Sequence, residues 1–95
     1  MEFLIHMEVH DLPDGDECQK LLELEKKRAN ELANAGILRR LWRVPGRRAN
    51  WGIWITNSVD TLHEALSSLP LFSYMSITVY PLAKHPNDPG LLLTS

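Results

Sequence analysis

Cysteine is almost absent from this 95-residue chain, and a single residue, Cys18, cannot close a disulfide within it. An excess of charge of one sign is also missing. Ten Lys and Arg stand against twelve Asp and Glu, a formal net charge of −2, where a nucleic-acid binder is ordinarily basic. No apolar run approaches the roughly 20 residues of a membrane span. Met1-Glu2-Phe3 lacks a basic region followed by an apolar stretch, so no signal peptide is read and a cytoplasmic location is expected. What remains is one domain with a modest core, for which assembly into an oligomer would help.

The apolar residues fall into two periods. Phe3, Ile5, Met7 and Val9 alternate with Leu4, His6, Glu8 and His10, which predicts a half-buried strand over Phe3–His10. Asp11-Leu-Pro-Asp-Gly-Asp16 reads as a loop and helix start, with acids near the positive helix end. A helix follows from Cys18 to about Ala35, with Gly36 as its terminator. Leu38–Val44 and Arg48–Thr56 read as a hairpin turned at Pro45-Gly46-Arg47. Asn57 or Ser58 caps a second helix, Val59–Ser68, which Pro70 stops. Met75–Leu82 is the last strand.

The order βαββαβ is the ferredoxin-like split pattern. It implies an α+β fold with two helices over one face of a four-stranded antiparallel sheet. The first strand is central, between the last and the third. Within the hairpin, Ala49, Trp51, Ile53 and Ile55 read as the core set, with Trp42 beside them. The uncovered face is then expected to carry His6, Glu8, Arg48, Asn50, Trp54, Ser76, Thr78 and Tyr80. Such a face is too polar for a core and too aromatic for plain solvent, and it suits a pocket or a face-to-face subunit contact. Residues 1–86 form the domain; 87–95 form a tail whose Leu91-Leu92-Leu93 suits docking on a neighbouring subunit.

Glu25 is the residue that the pattern does not explain. At about 100° per residue it falls within the apolar side of the first helix, among Cys18, Leu21, Leu22, Ala29, Leu32 and Gly36. A carboxylate facing a core is costly unless it is paired, protonated or lining a cavity. Two readings are open, a buried Glu paired with an arginine and a working carboxylate in a cavity. Cys18, on the same side, reads as packing rather than as a nucleophile. The local cluster Arg39, Arg40, Arg43, Arg47 and Arg48 suits a small carboxylate substrate or a subunit contact.

Leu41-Trp-Arg-Val-Pro-Gly46, Ala49-Asn50, Leu62-His63, Leu69-Pro-Leu-Phe72, Tyr74-Met75 and His85-Pro86, together with Glu25-Lys26, resemble the muconolactone Δ-isomerase family over roughly Met1 to Pro86. The resemblance implies a ferredoxin-like subunit that pairs as a dimeric α+β barrel within a larger homo-oligomer, a decamer in that family. The implied reaction is cofactor-free, metal-free isomerisation of (+)-muconolactone to the enol-lactone of 3-oxoadipate, in the catechol branch of aromatic degradation. A related activity in the family, chloromuconolactone dehalogenase, removes HCl from a chlorinated lactone. A ferredoxin-like oligomer that only binds a small acid or lactone is the non-enzymatic alternative.

Moving a double bond in a lactone needs a base for a carbon-bound proton, a return of that proton elsewhere, and donors to the developing enolate oxygen. Glu25 is expected as the base, since partial desolvation raises a carboxyl toward neutrality. Asn50 is expected to donate to the lactone carbonyl, and Arg48 to hold the substrate carboxylate or the enolate. His6 is a candidate second proton carrier; Trp54 and Tyr80 are expected against the substrate. Trp54 also suits a subunit interface. Two positions depart from the family pattern: Leu22 stands where it has a lysine, and Arg48 where it has a tyrosine. The positive charge has moved, or the substrate differs in its ring substituents. His6, Glu8 and His10 alternate as a divalent-metal site would need, yet they read more simply as a polar strand face. His63 reads as structural, and His85 as packing or as closing a neighbour's pocket.

Overall fold

The computed structural model describes residues 1–90. Strand β1 (Glu2–Val9) leads to helix α1 (Gly15–Asn34), the hairpin β2 (Leu38–Arg43) and β3 (Ala49–Ile55), helix α2 (Val59–Ser67) and strand β4 (Met75–Leu82). The antiparallel sheet has the order β2-β3-β1-β4, so β1 is central between β3 and β4. A 3₁₀ turn at Phe72–Tyr74 precedes β4. None of the helices is long and apolar enough to cross a membrane among the described residues. The Leu91–Leu93 tail reading lies outside those residues.

Local chemistry sets the helix ends. Helix α1 closes with Gly36 at φ +78°, its N–H on Ala33 O, and Ile37 N–H on Leu32 O. That pair of bonds is a Schellman cap, which favours glycine at its left-handed position. Ser58 caps α2 by accepting from Thr61 N–H at 3.1 Å, worth about 1 kcal/mol.

The core lies between the sheet and the helices. Phe3, Ile5 and Met7 enter from β1, and Leu32 from α1. Trp54 comes from β3, Leu62, Ala65 and Leu66 from α2, and Leu69 follows them. Full burial of a side chain such as Ile5 stabilises by about 1.5–3 kcal/mol.

The faces of β3 are the reverse of the sequence expectation. Directly opposed residues of an antiparallel pair share a face. Phe3 opposes Trp54, Ile5 opposes Gly52 and Met7 opposes Asn50, so Trp54, Gly52 and Asn50 point under the helices. Trp54 is 1% exposed and belongs to the core, not to the uncovered face. Trp51 opposes His6 and lies on the uncovered face, with ring centroids 4.7 Å from His6 and 6.1 Å from Tyr80. Trp42 opposes Trp51 and is also exposed, with the Arg40 guanidinium 4.7 Å over its ring. Both faces of β3 carry large apolar residues, so hydrophobicity alone does not choose between them.

Two irregularities shape the cleft side. Pairing of β2 with β3 shifts between Leu38 and Arg40. That bulge lets both Leu38 and Leu41 face the helices, and Arg43 opposes Asn50 on the same side. Gly52 permits a close approach. A Cβ there would meet Leu41 Cδ2 at 3.0 Å, Trp54 Nε1 at 3.0 Å and Arg40 O at 3.1 Å.

Candidate active site

Helix α1 does not lie flat on the sheet along its whole length. Leu32, near its end, is 2% exposed, whereas Leu22 is 42% exposed and Cys18 only half-buried. The apolar side of its first half therefore faces a cleft rather than the core. The cleft measures 640 Å³ and opens between α1, the β2–β3 hairpin and the end of β1. Leu12, Cys18, Leu22, Leu41 and Leu71 provide an apolar wall, and Arg43, Arg48 and Asn50 a polar one. A small acid with an apolar ring meets both kinds of surface here.

Glu25 does not itself line this space. It is joined to the wall by Leu22, three residues earlier on α1, and by Leu71, whose amide N–H donates to Glu25 Oε1 at 2.9 Å. Burial pushes the Glu25 carboxyl above its ordinary range, and the Leu71 hydrogen bond only partly opposes this. The arginine partner that the sequence left open is not found among the described residues. Arg28 instead bonds Ser68 Oγ at 2.9 Å and approaches Glu31 at 3.5 Å. Glu25 is thus a half-buried carboxyl held by one backbone amide, with its protonated form favoured by burial.

Asn50 and Arg48 reach the cleft from the sheet, Asn50 on the helix-covered side and Arg48 exposed just before β3. Asn50 therefore lies on the helix side of the sheet, not with His6 as the alternation suggested. Its Oδ1 is buried and has no hydrogen-bond partner among the described residues. His6 and Tyr80 stand on the uncovered face with Trp51, across the sheet from the cleft. Trp54 lies beneath the cleft in the core and does not line it.

Other titratable groups are engaged elsewhere. Arg47 forms an ion pair with Glu8 and holds its carboxyl below the usual range. His10 Nε2 bonds Ser76 Oγ at 2.9 Å. His63 meets Phe72 edge to face at 6.3 Å, and His85 Nδ1 accepts from Asn87 N–H. The sequence reading named Arg43 only as part of the arginine cluster and gave Leu71 no role of its own. Counting back from Asn50 through the hairpin turn could have found Arg43, since the two are opposed. No side-chain signal marks a backbone amide such as that of Leu71.

The family model described as muconolactone delta-isomerase matches residues 1–88. The chain is 43% identical over 91 residues to the muconolactone delta-isomerase of Cupriavidus pinatubonensis, covering 93% of this chain and 98% of that one. It is 39% identical over 75 residues to that of Pseudomonas aeruginosa, covering 79% and 78%. A crystal structure of muconolactone isomerase superposes with a TM-score of 0.85 at 40% identity, covering 93% of this chain and 94% of the other.

Proposed function

We propose, because the chain belongs to the muconolactone delta-isomerase family and is an isomerase, that its cleft shifts the ring double bond of a muconolactone by proton transfer through Glu25. In this reading Glu25 takes the proton from the ring carbon that bears the carboxymethyl arm. The electron pair left behind forms the new ring double bond. The old double bond delocalises onto the lactone carbonyl oxygen as a dienolate. Return of the proton to the carbon next to that carbonyl collapses the dienolate to the enol-lactone of 3-oxoadipate. Atoms balance without a cofactor, and one carboxyl serves both proton steps.

The observation that carries the reading is the half-buried carboxyl of Glu25, raised by desolvation and tied by Leu71 to the wall of a cleft with cations at its polar end. Arg48 and Arg43 are suited to the substrate carboxylate, and Asn50 to the developing oxyanion. Leu22 leaves the helix side of the cleft without a cation, so the sheet supplies the positive charge.

His6, Trp51 and Tyr80 support a second element of the proposal. They lie with Leu4 and Ile53 on the face that neither α1 nor α2 covers. A second copy packed there would make the dimeric barrel within a larger homo-oligomer. The enzyme would act in the cytoplasm.

The test is incubation with (+)-muconolactone in deuterated water, followed by proton NMR. Deuterium entering the ring, or conversion to the enol-lactone, is expected from the wild type and not from Glu25→Gln. Exchange by Glu25→Gln at the wild-type rate would remove Glu25 as the base.

A further inference from the structure

Asn50 Oδ1 and Trp54 Nε1 are both buried, and neither has a hydrogen-bond partner among the described residues. One is an acceptor and the other a donor. They belong to the same face of β3, with Gly52 between them. A Cβ at Gly52 would come within 3.0 Å of Trp54 Nε1. The indole therefore folds back along the strand into the space that a side chain at 52 would fill. Its N–H arrives at the position next to Asn50 on that face, where residues repeat at roughly 7 Å. Leaving both atoms unmet is costly, and buried groups of this kind are ordinarily satisfied by protein or by an ordered water.

We infer that Trp54 is a positioning residue for Asn50, acting through one buried water that accepts from the indole N–H and donates to Asn50 Oδ1. That link fixes the carboxamide with its oxygen inward, which turns its NH₂ toward the cleft. A flipped amide would offer an acceptor to a developing oxyanion, the wrong polarity for catalysis. Gly52 is part of the device, since any larger residue meets the indole and Leu41 at once. The catalytic value of this arrangement rests on the reading of Asn50 as the donor to the lactone oxygen; the link itself does not.

The test separates the two. ¹H–¹⁵N spectra of the assembled protein without substrate are compared for wild type, Asn50→Ala and Trp54→Phe. The Trp54 indole resonance is expected to shift and lose its protection from exchange in Asn50→Ala, and the Asn50 carboxamide pair to shift in Trp54→Phe. An indole resonance with unchanged position and exchange in Asn50→Ala overturns the link. Asn50→Ala leaves the core untouched, so this arm does not depend on how Trp54→Phe folds. In turnover, Trp54→Phe is expected to lower kcat about fivefold with KM unchanged. The double variant should be no slower than Asn50→Ala alone. Losses that multiply would assign Trp54 an independent, structural role. If the wild type turns over no lactone, the spectra still decide the link while the functional reading fails.

Discussion

The two faces of β3 lie back to back on one strand and differ in almost everything else. On the helix-covered face, β3 presents Asn50, Gly52 and Trp54, a polar group, a gap and a buried indole. On the other it presents Trp51 and Ile53, set against His6, Leu4 and Tyr80. Within β3 the more apolar pair, Trp51 and Ile53, is on the face that neither α1 nor α2 covers. Apolar alternation in a strand therefore marks a face that will be covered, and does not say whether its own helices or another subunit will cover it. In the proposed reading the chemistry lies where α1 only half covers the sheet, and the uncovered face is left for assembly.

Substitutions can break that division of labour. The largest effect is expected from Glu25→Gln, a loss of kcat of about 10³-fold, within the range for a general acid–base group. Its folded stability at neutral pH should not fall. Glu25 has a raised carboxyl pKa in the fold, so its ionisation weakens the folded state as pH rises from the unfolded toward the folded value. Thermal melts of the two proteins at pH 7 check this. The same shift gives activity a sign. The base works ionised, so kcat/KM should rise with pH through a pKa above the ordinary glutamate range and then level off, a limb absent from Glu25→Gln.

Arg48→Leu is next. Loss of one charge-assisted contact to the substrate carboxylate should raise KM roughly tenfold with little change in kcat. A change confined to kcat would move Arg48 from binding to the reaction itself. His6→Gln should have the smallest effect on turnover, within about twofold per assembled subunit, because His6 lies across the sheet from Glu25. Its mark should appear in the assembly, read by light scattering under dilution. If His6→Gln slowed turnover as severely as Glu25→Gln, the uncovered face would belong to the active site of a neighbouring copy, and the division would fail.

Much of this was legible in the sequence. Element order and strand order follow from period and turn chemistry, and Glu25 stood out as a charge on an apolar helix side. Arg48 and Asn50 reach the cleft, as a paired polar set on β3 suggested, although by opposite routes to the one expected. Residues such as Trp51 and Trp54 were misplaced for a physical reason. Strand facing is set by register, and register by the bulge and the turn, while both candidate faces were apolar enough to be buried. The expected helix stripe reaches the core only in the second half of α1, at Ala29 and Leu32. Leu22 and Cys18 look like core in a list of residues, and only the lift of α1 away from the sheet converts them into a wall.

The shift in pairing between Leu38 and Arg40 makes the cleft sensitive to chain length more than to residue identity. Arg39 is the extra residue of that shift, so its removal would leave Arg40–Arg43 opposite the same β3 residues; removing Trp42 would instead place Leu41 opposite Trp51 and Arg40 opposite Gly52. Leu41 would then leave its seat over Gly52. A single-codon deletion between Arg40 and Arg43 would therefore redraw the cleft wall more abruptly than most point changes.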